Sequence, residues 1–143
     1  MDDKPLIHLD NNYLTNLLNP STNASQNVRG WMENYRIGTS AIAWMEFLRG
    51  PEDEPRTKMQ IALMKEMLAS GGISPFGEAE ADSAAYLFCQ IGRPKNADYR
   101  LRMDCLIAAS AITTTAQLAT DNICDFEDFA RYGLNLCDPD YML

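Results

Sequence analysis

Pro5-Leu6-Ile7-His8-Leu9-Asp10-Asn11-Asn12-Tyr13-Leu14-Thr15-Asn16-Leu17-Leu18 is the stretch on which the fold turns. Its first half is a short, mostly apolar run, as expected of a strand covered on both faces. The run stops at Asp10 and a new period begins. Tyr13, Leu14, Leu17 and Leu18 fall on one helical stripe, and Asp10 suits the N-cap of that helix. A strand feeding straight into a helix is the opening of an α/β unit.

The same alternation continues outward. Asn19-Pro20-Ser21-Thr22-Asn23 is a polar break. Val28, Trp31, Met32 and Tyr35 mark one face of a second helix, and Tyr35-Arg36-Ile37-Gly38 reads as a brief strand. Thr39 or Ser40 caps the next helix, which Gly50-Pro51 ends. Residues 54–70 carry Met59, Leu63, Met64, Met67 and Leu68 at helical spacing, and Gly71-Gly72 stops them. An extended piece at Ile73–Phe76 precedes a helix over 78–91 with Ala81, Ala84, Ala85 and Phe88 inward. A loop at 92–96 leads to a strongly apolar helix over 100–115 with Asp104 in its first turn. A buried strand over 116–120, the turn Asp121-Asn122, a helix over 126–132 and a last strand over 134–137 complete the series. The expected fold is a three-layer α/β/α domain over 1–143 with a central, mainly parallel sheet and right-handed crossovers.

Composition narrows the function classes. The 143 residues hold 12 Lys+Arg against 20 Asp+Glu, a formal charge of −8. A broad basic face for gripping phosphates is therefore excluded, and any nucleic-acid chemistry must rest on local basic groups or metal ions. No apolar run is long enough for a membrane span, and the start lacks the apolar core of a signal peptide. Cys89, Cys105, Cys124 and Cys137 are widely spaced with no CxxC pair, which disfavours zinc and a disulfide framework. The expectation is a reduced, cytoplasmic domain.

In parallel sheets, ligands sit beyond the carboxyl ends of the strands. Asp10, Thr39-Ser40 and Asp121-Asn122 follow three expected strands. Each has an ordinary structural explanation as a cap or turn residue. Glu46 stands within Ala41-Ile42-Ala43-Trp44-Met45-Glu46-Phe47-Leu48, so its carboxylate is expected to be partly buried, paired either with Arg49 or with a cation. Asp104 is favoured near a helix N-terminus by the macrodipole, and Asp125 could cap the helix that follows it. As a set, carboxylates gathered at one sheet edge repel one another unless a divalent cation sits among them. An all-oxygen donor set suits Mg²⁺ or Mn²⁺. His8, the single histidine, reads as a packed side chain, which leaves no second imidazole for a paired-histidine mechanism.

Four segments carry a family likeness. Leu9-Asp10-Asn11-Asn12-Tyr13-Leu14, Thr39 through Gly50, Arg102-Met103-Asp104-Cys105-Leu106-Ile107-Ala108-Ala109 and Leu118 through Phe126 resemble, in order and spacing, the successive motifs of PIN domains. The nearest likeness is to VapC-type toxins of toxin–antitoxin pairs, and it covers almost the whole chain. The resemblance implies a metal-dependent endoribonuclease using Mg²⁺ or Mn²⁺. Its usual targets are structured RNAs such as tRNA or ribosomal RNA, and its products carry 5′-phosphate and 3′-hydroxyl ends. It implies that Asp10, Glu46 and Asp104 hold the metal, that Asn122 is the fourth site position and that Asp125 completes the shell. Ser40, Asn11 and Thr120 support the site. Two departures stand out: Asn11 replaces the usual Thr or Ser, and Asn122 replaces the Asp of many members, removing one negative charge. It also implies a homodimer and an antitoxin whose segment lies in a groove.

Met59, Met64 and Met67, with Trp31 and Tyr35, are candidates to line that groove, against the simpler reading of methionines as core filler. Arg93, Lys95, Arg100 and Arg102 form the dense basic cluster, either solvated loop charge or an RNA-binding rim before Asp104. The competing expectation is an inactive PIN-like module that binds a basic peptide or a structural cation. A receiver-like phosphoryl-transfer fold is disfavoured because no Lys follows Lys95.

Overall fold

The computed structural model describes residues 3–91 and 99–137. Among them run β1 (Leu6–Leu9), α1 (Asn11–Leu17), α2 (Asn23–Trp31), β2 (Arg36–Ser40) and α3 (Ala41–Arg49). A 3₁₀ turn at Pro51–Asp53 leads to α4 (Lys58–Met67) and β3 (Gly72–Ser74). Then come α5 (Glu78–Ile91), α6 (Tyr99–Thr113), β4 (Gln117–Ala119), α7 (Ile123–Ala130) and β5 (Asn135–Leu136).

The strands form one sheet in the order β3-β2-β1-β4-β5, and every pairing is parallel. The opening strand is central because all four of its side chains are buried, which only an interior parallel strand allows. Strand alternation sends Ile7 and Leu9 to one face and Leu6 to the other. The first face packs against Tyr13, Leu14, Val28, Trp31, Met64 and Leu68. The second packs against Ala84, Leu87, Ile107, Ala108, Phe126 and Phe129. The result is the expected three-layer α/β/α arrangement, with α3 giving Ala43 to one core and Phe47 to the other. After β1 the chain adds strands on one side, then crosses to add β4 and β5 on the other. The carboxyl end of β1 therefore lies at the switch point where such sheets open a crevice.

Several local expectations are corrected. The second helix ends at Trp31, and Tyr35 lies beyond it, entering β2. Met32 is exposed rather than inward, because the stripe of Ala24, Val28 and Trp31 already fills the buried face. The helix expected over 54–70 starts at Lys58, where Thr57 and Gln60 form a reciprocal capping box. On α5, Ala84 and Leu87 are buried while Ala81 and Ala85 are exposed. The small alanines had left the direction of the stripe ambiguous. The long α6 starts at Tyr99, so Asp104 stands in its second turn and gains little from the macrodipole. The last helix starts at Ile123, with Asn122 in the N-cap position, so Asp125 belongs to its first turn and is not its cap.

Gly71-Gly72 does more than stop a helix. A Cβ on Gly38 would lie 2.6 Å from the Gly72 carbonyl oxygen, and one on Gly71 would lie 2.5 Å from the Ile37 carbonyl carbon. Both neighbours are backbone and cannot rotate away. Gly38→Ala is therefore expected to cost roughly 2–3 kcal/mol, measured as a lower urea midpoint with an unchanged m-value.

Candidate active site

Asp10 ends β1 and caps α1. Its Oδ1 accepts the Asn11 main-chain N–H at 2.8 Å, and its Oδ2 accepts the Thr120 hydroxyl at 2.8 Å. The Asp10 N–H in turn donates to the Ala119 carbonyl at 2.9 Å. The tips of β1 and β4 are thus tied together, and the Asp10 carboxylate is buried. Thr120 Oγ1 also accepts the Asn122 N–H at 3.0 Å, which sets the turn that carries Asn122.

Glu46 is delivered by α3. Ser40 launches that helix by accepting the Ala43 N–H at 3.1 Å on its Oγ, so Ser40 is a buried cap and its side chain lies outside the cavity lining. Glu46 is half-buried. The alternative of a Glu46–Arg49 salt bridge is not what forms. Arg49 is ion-paired to Asp53 and donates to the Tyr99 hydroxyl at 3.0 Å. Asp104 comes from α6 and is also half-buried.

These elements enclose a cavity of about 310 Å³ lined by Asp10, Asn11, Asn12, Glu46, Arg49, Gly50, Tyr99, Arg100, Met103, Asp104 and Asn122. The carboxylates Asp10, Glu46 and Asp104 and the amide of Asn122 therefore share one opening. Thr120 stands behind Asp10. Asp125 is exposed and outside the lining, although its charge reaches Asp10 and Asp104. Arg100 lines the cavity and Arg102 is exposed outside it. Arg93 and Lys95 lie outside the described residues.

The electrostatics of the cavity are one-sided. Burial pushes the Asp10 carboxyl up, its two hydrogen bonds pull it back, and Asp121 and Asp125 push it further up. Burial and then the Asp10 charge raise Glu46, with Arg49 and Arg100 opposing. Asp104 is lifted to about 7, first by burial and then by Asp10, Asp125 and Glu46, with Arg100 again opposing. One carboxyl of the set therefore holds a proton near neutrality, as like charges sharing a site require.

The donor chemistry fits an oxygen-seeking divalent cation: three carboxylates, an amide, and the buried Asn11 Oδ1, which accepts no hydrogen bond among the described residues. As the side chains lie, no three His, Cys, Asp or Glu groups among the described residues form a ready-made cage.

The PIN domain profile matches residues 7–132. The chain belongs to the PIN domain family. PIN domains are, as a family, nucleases. No curated protein sequence matches the chain at a significant level. Solved structures with the same PIN fold include VapBC2 from Rickettsia felis bound to a promoter DNA fragment. It is 20% identical, with a TM-score of 0.72, covering 92% of this chain and 97% of that one. VapBC-1 from nontypeable Haemophilus influenzae is 20% identical with a TM-score of 0.67, covering 94% and 98%. FitAcB from Neisseria gonorrhoeae is 23% identical with a TM-score of 0.65, covering 96% of this chain and 99% of that one.

Asn12, Arg49, Gly50, Tyr99 and Met103 complete the cavity wall and are not among the site residues expected from the motifs of this PIN domain. Asn12 was within reach, being adjacent to Asn11 and one helical step from the strand end. Nothing in the periodicity marks Tyr99.

The methionine groove is partly corrected. An apolar cleft of about 380 Å³ exists between α1, α2 and α4, lined by Leu17, Leu18, Met32, Leu63, Met64, Glu66 and Met67. Trp31 is buried in the core, Tyr35 packs beside it, and Met59 is 74% exposed outside the cleft. No disulfide joins any of the four cysteines, and no described helix is long and apolar enough to cross a membrane.

Proposed function

We propose that this PIN domain, spanning 1–143, is a metal-dependent endoribonuclease and the toxin of a VapBC-type pair. The observation that carries the reading is the convergence of the Asp10, Glu46 and Asp104 carboxylates on one open cavity, each pushed up first by burial and Glu46 and Asp104 also by the Asp10 charge. Such an arrangement is costly for a metal-free protein and is relieved by a divalent cation. Asp10, Glu46 and Asp104 would hold Mg²⁺ or Mn²⁺, with Asn122 and Asp125 at the margin of the site. Bound there, the cation supplies Lewis acidity for the attacking water and for the leaving 3′ oxygen.

The chain's own residues do the positioning. Thr120 and the Asn11 N–H fix the Asp10 carboxylate, so its orientation is set before substrate arrives. Closing a ligand set requires the half-exposed Glu46 and Asp104 to draw toward it. Arg100, on the cavity rim, faces the approaching phosphate, and Arg102 with Arg93 and Lys95 would extend that basic rim. The test is cleavage of a small-RNA pool by purified protein with Mg²⁺ or Mn²⁺. Discrete fragments with metal and none with chelator support the reading. An inactive binding module would bind Mn²⁺ and cleave nothing.

The apolar cleft beside α4 would seat the antitoxin segment, and the same reading carries a homodimer in the cytoplasm. Leu63, 52% exposed on the cleft, is the residue to change. Leu63→Glu is expected to weaken capture of an antitoxin partner by tenfold or more, on the order of 1.4 kcal/mol. RNA cleavage should be unaffected; a pull-down with purified partner checks the first effect and the small-RNA cleavage assay the second.

A further inference from the structure

We propose that a second cavity, built around Arg56, is a subsite for a phosphate of the RNA strand flanking the scissile bond. This inference rests on the ribonuclease reading above. The cavity holds about 300 Å³ and shares Asn11, Asn12, Glu46 and Gly50 with the carboxylate cavity. The two are therefore one continuous trough. The second part adds Thr15, Asn16, Pro51 and Arg56. Its wall is mostly apolar in exposed area, and its charged side chains are Glu46 on the shared side and Arg56.

Arg56 is held in a fixed pose. Its Nε donates to the Phe47 carbonyl at 3.0 Å and its Nη2 donates to Thr15 Oγ1 at 2.9 Å. Its guanidinium carbon lies 4.6 Å from the centroid of the Phe47 ring. Among the described residues no carboxylate lies within ion-pair distance of it, and the ion pair that does form there joins Arg49 to Asp53. Its partners are neutral, and partial burial pulls its pKa down. A guanidinium has five N–H donors. Two are used on the protein side, and the Nη1 edge makes no hydrogen bond to described residues. A planar fork with one edge anchored and the other free matches a phosphate.

The backbone supports this pose at a cost. Gly50 has φ 71°, and a Cβ there would lie 2.0 Å from the Glu54 carbonyl oxygen. Glu52 and Asp53 also take positive φ, at 55° and 57°. This strained turn folds residues 54–56 back along α3, where the Arg56 N–H reaches the Leu48 carbonyl at 3.2 Å. It places Pro51 and Arg56 on the trough wall together. Strain held by surrounding contacts next to a candidate active site is a mark of function. Capping the end of α3 accounts for the Nε bond. It does not account for a guanidinium that also lines the second cavity and whose Nη1 makes no hydrogen bond to described residues.

The test uses the Asp104→Asn background, which is not expected to cleave, and a 5′-phosphorylated RNA tetranucleotide as the probe. NMR follows the Arg56 Nε–Hε signal during titration, and Arg56→Gln and Arg56→Lys are compared with the parent. Binding is expected to shift that signal. Arg56→Gln should weaken binding about tenfold and reduce the salt dependence by about 0.7 in log–log slope, with Arg56→Lys in between. In the cleaving protein, Arg56→Gln should raise KM and leave kcat within about twofold.

An unmoved Arg56 signal with unchanged affinity and KM, in a protein that cleaves RNA, overturns the subsite and leaves the ribonuclease reading standing. A shifted signal in a protein that never cleaves supports the subsite and overturns the ribonuclease reading. If Arg56→Gln lowers the melting temperature and leaves affinity unchanged, the residue is a helix cap and the proposal fails.

Discussion

Asp104→Asn is expected to abolish metal-dependent RNA cleavage while making the metal-free protein more stable at pH 8. The first effect should be on the order of 10³-fold or more in kcat/KM, because the variant removes one of the three carboxylates proposed to hold the metal. The second follows from linkage. The folded-state carboxyl of Asp104 sits at about 7, above its ordinary value of 3.8. The unfolded chain therefore releases this proton more readily than the native protein does. The stability tied to that proton is complete below the ordinary value and is lost as pH rises through about 7. Partial exposure trims the effect to roughly 1–2 kcal/mol, or a gain of about 3–6 °C in melting temperature for the variant. At pH 4 the difference should nearly vanish. Thermal melts of both proteins across pH 4 to 8 check it. A variant less stable than the parent at pH 8 would mean that Asp104 makes a structural contact not accounted for here. The opposite pattern, lost activity with gained stability, is the exchange expected of a functional carboxylate.

His8 is expected to produce a pH effect on stability of the opposite sign. It lies in the central strand and is 1% exposed. Its Nε2 shares a hydrogen bond with Ser74 Oγ at 3.0 Å, and Nδ1 has no hydrogen-bond partner among the described residues. Burial pulls its pKa from the ordinary 6.5 to about 4. Between these values the unfolded chain binds the proton and the native protein does not. Stability therefore rises with pH across that window and is lost as pH falls from 6.5 toward 4. The displacement corresponds to roughly 3 kcal/mol. The raised carboxyls act against it over part of the same window, so the total curve is flatter than His8 alone would make it. The difference between the parent and His8→Gln isolates the histidine. Urea denaturation at pH 4.5 and 6.5 should show the parent losing more stability on acidification than the variant. Parallel losses would show that His8 is protonated in the folded state.

The legible parts of the fold were those where period and punctuation agree. The apolar run before Asp10 and the helical stripe after it gave β1, α1 and the cap between them. A cap at Thr39 or Ser40 is legible for the same reason, since hydroxyl residues directly precede an apolar helix, and the structure places it at Ser40. Alanine carries little directional signal, so α5 was placed correctly and its face was not. The entry to α6 is blurred in the sequence because Tyr99 and Arg100 are exposed, so its expected start falls one residue late and Asp104 reads as part of the first turn. The candidate carboxylates could be picked out because acidic residues in apolar surroundings are costly and few. Arg56 could not be found that way. Its surroundings are made by a strained turn and by Thr15 and Phe47, two partners distant in sequence, and none of these leaves a periodic trace.

The most direct test of the metal reading is calorimetric titration of Mn²⁺ into the metal-free protein and into Asp104→Asn at pH 7, in two buffers of different ionisation enthalpy. The predicted result is saturable binding by the parent, with protons released as the ion displaces them from the raised carboxyls, and loss of that binding in the variant. Equal binding by both proteins, or no saturable binding by the parent, would contradict the assignment of Asp10, Glu46 and Asp104 as the metal-holding set.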